Sequence, residues 1–193
     1  MNNLGKKVFS LIKKVPIIGD LLLAANGYVL LGDKSFSKSP APIQKWKFIF
    51  KDVFFALICG AFAATGFCYF GVSDVNASGL IQDFTPGFLG ISVGIYALVF
   101  VVPTLVSKES FLKLKSTMKS ISFNMSYPIS ALIFILLISV FTEHFPANKY
   151  TNFINFSLLI YSFVLVMEVV TYVTYVGRAI VTRRIKELEE NSD

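Results

Sequence analysis

The sequence predicts an all-α integral membrane protein with four transmembrane helices. Both termini are expected in the cytoplasm, and an N-terminal amphipathic basic helix is expected in the headgroup layer. Three observations predict this. Of the 193 residues, 54% are hydrophobic and only 16% are charged, where a soluble domain carries about 25% charged residues. The charges cluster and leave long uncharged stretches between them. Segments rich and poor in lysine and arginine alternate along the chain.

The first span is expected over 53–73, between Asp52 and Asp74. The second covers 84–107, between Asp83 and Lys108, and the third 120–142, between Lys119 and Glu143. The fourth covers 150–177 and is interrupted once, by Glu168. Each provides the roughly 20 mostly apolar residues that cross about 30 Å of hydrocarbon. Helices are expected because a backbone in lipid must satisfy its own hydrogen bonds. The runs do not alternate as barrel strands do. The chain thus divides into a basic arm (1–48), a four-span bundle (49–178) and a charged tail (179–193).

Residues 1–52 hold nine lysines, and 108–119 hold Lys108, Lys113, Lys115 and Lys119. The tail holds Arg178, Arg183, Arg184 and Lys186. By contrast, 74–83 holds none, and 143–149 holds only Lys149 beside Glu143. The positive-inside rule then places the arm, the middle loop and the tail inside, and the two short acidic loops outside.

In the arm, Leu4, Val8, Leu11, Ile12 and Val15 follow the spacing of one helical face, with Lys6, Lys7, Lys13 and Lys14 away from its centre. Such a helix lies in the membrane interface. It is not read as a cleavable signal peptide, since it has no uninterrupted apolar core. Pro16 ends it. The next apolar stretch, 17–31, is short, carries Asp20 and Asn26, and has lysines on both flanks. It is read as a surface or re-entrant helix. Ser35 to Pro42 (SFSKSPAP) reads as a linker leading to Trp46, an interfacial anchor. The tail from Arg183 to Glu190 reads as a helical extension of the last span, either a solvated end or a docking handle.

The formal net charge is +6. Because the basic residues flank apolar spans, anionic lipid headgroups are the expected partner, with Lys6, Lys7, Lys13, Lys14, Arg183 and Arg184 facing lipid or a protein partner. Nucleic acid is not expected as a direct partner, since no nucleic-acid-binding signature accompanies the charge.

Glu168 is the intramembrane polar residue that stands out. A carboxylate inside a span costs roughly 2.5–3.5 kcal/mol on insertion scales, so it should face the bundle interior or water. It can bind an ion or proton, or bond a neighbouring subunit. The structural alternative is a bond to a Tyr, Ser or Asn of another span. Gly87, Gly90 and Gly94 in span two, and Ala56, Gly60 and Ala64 in span one, form ridges of small residues that allow close helix packing. The ridges do not say whether the packing is within one bundle or between copies.

Pro103 and Pro128 are candidate kinks. Asn124, Ser126 and Ser130, with Asn152, Asn155 and Ser157, are expected to make interhelical hydrogen bonds. Cys59 and Cys68 sit nine residues apart on one helix and point to opposite faces, so they cannot pair. His144 is the sole histidine and does not build a metal site alone. No catalytic or phosphate-binding motif occurs. Neither enzyme activity, a metal nor a cofactor is therefore expected.

Three functional classes follow. The first is a non-enzymatic oligomeric membrane subunit, with a tetramer as the expected assembly, that senses or anchors and recruits a cytoplasmic protein. The second is a channel, transporter or pore-forming effector using Glu168. The third is a membrane immunity protein against a pore-forming toxin. The abundance of Lys, Asn, Ile and Phe points to an AT-rich bacterial, phage or mobile-element gene, and the inner membrane is the expected location. In size and topology the plan is similar to that of four-span membrane subunits of bacterial anti-phage systems, such as that of the Kiwa system. It is also similar to the four-span immunity proteins for pore-forming colicins. The first resemblance implies the sensor-anchor class.

Overall fold

The computed structural model describes residues 3–70, 76–105, 108–145 and 148–190, and among them the fold is all-helical. The order is α1 (Asn3–Ile12), α2 (Ile18–Val29), two 3₁₀ turns (Lys34–Ser37 and Ile43–Trp46), α3 (Lys47–Tyr69), α4 (Ala77–Leu105), α5 (Lys108–Glu143) and α6 (Lys149–Glu190). Among the described residues, three helical stretches are long and apolar enough to cross a membrane: Ile43–Phe67, Asn124–Glu143 and Tyr150–Lys186. α4, with 29 residues, is the fourth candidate. α3 has 23 residues, which reach about 35 Å at the helical rise. It turns Phe50, Phe54 and Phe62 outward, a surface suited to lipid and rarely exposed by a soluble monomer.

The interhelical loops are shorter than the sequence suggests. α4 begins at Ala77, so most of the expected outer loop 74–83 is helix; Asp74 lies outside the described residues. The segment 108–119, expected as a loop, is the first part of α5. It contains neither Gly nor Pro, so nothing in it stops a helix at the membrane surface. α6 runs 42 residues without a break and carries the tail to Glu190.

α2 has 12 residues, about 18 Å, too short to cross. It is packed into the bundle. Its Ala25 and Val29 share one core with Ile49 of α3, Ile81 of α4, Leu132 of α5 and Leu165 of α6. The chain reaches α2 through a sharp bend. Ile17 has φ 67°, unusual for a β-branched residue. Gly19 sits so close to the end of α1 that an added Cβ would lie 2.7 Å from the Lys13 carbonyl carbon.

Val8, Leu11 and Val15 of the expected apolar face of α1 are exposed, while Phe9, outside that face, is buried. The bend after Ile12 turns the Phe9 side inward and leaves the apolar stripe facing out.

The small ridges of the two spans behave differently. Ala56 is 2% exposed, and a Cβ on Gly60 would collide with Ser157 Oγ and lie 2.8 Å from the Ser157 backbone. α3 and α6 therefore touch closely there. Nothing stands within 4 Å of a Cβ added at Gly87, Gly90 or Gly94. Among the described residues that ridge makes no close contact.

Candidate functional site

The most polar part of the interior lies where α2, α3, α5 and α6 meet. On α6, Tyr161, Leu165, Glu168 and Tyr172 recur at spacings of four, three and four, which aligns them on one helical face. Leu165 is 1% exposed, so that face points into the bundle and carries Glu168 with it. Glu168 sits near the middle of α6, close to the first turns of α3, where Asp52 stands.

Tyr28 of α2 donates its hydroxyl hydrogen to Glu168 Oε1 across 3.2 Å. The Tyr172 phenol stands beside that of Tyr28 and near the same carboxyl. The Asp52 carboxyl lies against that of Glu168. Glu168 Oε2 is buried and has no hydrogen-bond partner among the described residues. Among the described residues no group of three His, Cys, Asp or Glu side chains is placed to hold a metal ion.

Beside these groups the Tyr28 ring packs on that of Tyr127 at 5.1 Å. The Tyr127 and Tyr161 hydroxyls are 2.6 Å apart. Phenols from three helices thus surround the carboxyl pair, their rings giving packing area and their hydroxyls giving hydrogen bonds.

Asn26 fixes the arm that brings Tyr28 here. It is fully buried. Its Nδ2 donates to the carbonyls of Phe36 at 2.6 Å and Ser39 at 2.9 Å. Its Oδ1 accepts from the Ala41 N–H at 2.7 Å. One amide thereby straps the 36–41 segment onto α2. Lys13 Nζ adds a bond to the Ser37 carbonyl at 3.2 Å.

Two crevices flank the site. One, of about 490 Å³, lies between α3 and α6 and is apolar except for Glu168, Thr171 and Tyr172. The other, of about 340 Å³, is lined by Tyr28, Val29, Leu31, Lys45, Phe48 and Tyr172.

The remaining expected residues lie elsewhere. Ala56 and Gly60 are at the α3–α6 contact, and Ala64 is half-buried one turn on. Lys7, Lys14 and Arg184 are exposed, while Lys13 is half-buried. The side chains of Lys6, Arg183, Cys68 and Pro103 lie outside those described. Pro128 is buried within α5. Thr142 of α5 donates to Asn155 Oδ1 of α6 at 2.8 Å.

Asp52, Tyr28, Tyr172, Tyr127, Tyr161 and Asn26 were not singled out from the sequence. The tyrosines at minus seven and plus four from Glu168 carried a usable signal, since they repeat on its face. Asp52 was read only as the flank of span one. Tyr28 carried no signal, because its contact depends on how α2 docks. No protein-family model, no curated protein and no solved structure matches the chain.

Proposed function

We propose that the protein is a non-enzymatic bacterial inner-membrane subunit with both termini in the cytoplasm. It acts as an oligomeric sensor and anchor that recruits a cytoplasmic protein through its arm and its charged tail. The observation that carries this reading is the bond from Tyr28 to Glu168. It ties a segment that does not cross the membrane to a carboxyl inside the last span. A change in the bundle that moves α6 against α3 acts on Glu168 and, through it, on α2 and the basic α1. The free ridge of Gly87, Gly90 and Gly94 supports close packing between copies. The 42-residue α6 supports a tail that stands away from the membrane as a rigid handle.

A channel or transporter is the second reading, and the contact between Asp52 and Glu168 favours it, since paired intramembrane carboxyls mark ion and proton pathways. Reconstitution separates the two. The sensor reading expects proteoliposomes to hold an ion gradient as well as protein-free liposomes do. A conductance that Glu168→Gln abolishes, with the assembly intact, transfers the conclusion to the channel.

A further inference from the structure

We infer that the crevice between α2, the Ile43–Trp46 turn, α3 and α6 binds the phosphate of an anionic phospholipid, and so names what the sensor reads. The crevice has a volume of about 340 Å³, within the range of small-ligand sites. It suits a phosphoglycerol and the first methylenes of a chain rather than a whole lipid.

Its lining divides by chemistry. Lys45 supplies one ammonium, and the lining contains no acidic residue. Tyr28 and Tyr172 supply phenols, while Val29, Leu31 and Phe48 supply an apolar wall. A cation beside two hydroxyls on an apolar floor matches a phosphodiester whose chains continue into hydrocarbon. Depth agrees. Lys45 stands next to Trp46, and tryptophan settles at the membrane–water boundary. Leu31 and Phe48 are 66% and 70% exposed, so the apolar wall opens outward to the bilayer.

The polar wall also carries the Tyr28 phenol that bonds Glu168. A phosphate oxygen there accepts from Lys45 and competes for the phenol protons, so occupancy bears on the bond that holds α2 to the bundle. The coupling rests on the sensor reading; the binding does not.

Trp46 is the only tryptophan and follows Lys45 in the chain, so its fluorescence is open to quenching by a brominated lipid held beside Lys45. The probes are brominated phosphatidylglycerol and brominated phosphatidylcholine, each as a minor component of phosphatidylcholine vesicles holding the full-length protein. Quenching by the anionic lipid is expected at about fivefold lower mole fraction than by the zwitterionic one, the size of one lysine contact at a membrane surface. Lys45→Gln should remove that preference, and Lys47→Gln, outside the lining, should keep it. Glycerol phosphate in the buffer should leave the quenching unchanged. Equal quenching by the two lipids overturns the proposal, as does a preference that survives Lys45→Gln. Relief of quenching by glycerol phosphate reassigns the crevice to a soluble phosphate and overturns the lipid source. Lipid preference without any effect on arm docking leaves this site standing and counts against the sensor reading instead.

Discussion

Tyr28 and Glu168 are 140 positions apart, and their side chains meet across 3.2 Å. The Asp52 carboxyl of α3 stands near the same carboxyl. Glu168 thus bonds α2 to α6. The Tyr28 hydrogen bond offsets part of the cost of placing a carboxyl inside the bundle.

Neutral and apolar replacements of Glu168 should differ. Glutamine keeps an oxygen for the Tyr28 hydroxyl and offers an N–H₂ to Asp52. Leucine leaves the Tyr28 hydroxyl without its acceptor and Asp52 against hydrocarbon, at about 1–3 kcal/mol for each group. Glu168→Gln should melt in detergent close to the parent protein, and Glu168→Leu well below it. At matched membrane levels, Glu168→Gln should keep biological activity. Loss of activity in Glu168→Gln with the oligomer intact indicates a role for the charge itself.

Asn26→Ala should loosen the strap. Two carbonyls and one N–H lose their partner at once, at about 1–3 kcal/mol each. Limited proteolysis of the detergent-solubilised protein should then cut within 33–42 well before it cuts the spans. An unchanged digestion pattern contradicts the role given to Asn26.

The two glycine ridges should respond in opposite ways. Gly60→Leu meets the Ser157 backbone and should lower stability or expression, since overpacking costs about 1–3 kcal/mol. A Cβ added at Gly90 or Gly94 meets nothing within 4 Å among the described residues. Gly90→Leu and Gly94→Leu should leave the folded subunit intact and reduce the oligomer mass measured in detergent. Poor expression of the Gly90 and Gly94 variants with an unchanged mass places that ridge inside the subunit.

Topology is open to reporter fusions. A cytoplasmic reporter after Asp193 or within 108–119 should be active, and a periplasmic reporter should work only within 74–83 and 143–149. A periplasmic signal after Asp193 would sink the arrangement with both termini inside.

The apolar helices were legible in the sequence because hydropathy is a local property: the apolar runs at 53–73, 120–142 and 150–177 overlap the described apolar helices. Helix ends were less legible. The 108–119 segment is basic, which marks a membrane boundary, yet it holds no helix breaker and stays helical. Glu168 stood out because a charge among valines is conspicuous. Its partners did not, because Tyr28 and Asp52 are ordinary residues until α2 and α3 are placed beside α6. The docking of α2 depends on long-range packing of Ala25 and Val29 against α5 and α6, which no periodicity encodes.

The central claim is that the Tyr28–Glu168 bond holds the arm to the bundle. Ala25 is 6% exposed in the docked arm, so a cysteine there reports undocking. The measurement is the rate of maleimide labelling of Ala25→Cys in native membranes, with Cys59 and Cys68 replaced by serine. An interhelical hydrogen bond in a membrane is worth about 0.6 kcal/mol, so Tyr28→Phe should raise the rate about threefold. Adding Glu168→Leu to Tyr28→Phe should raise it by less than Glu168→Leu does alone, because the shared bond is already gone. Equal labelling of the parent and Tyr28→Phe, or full additivity of the two substitutions, would contradict the claim.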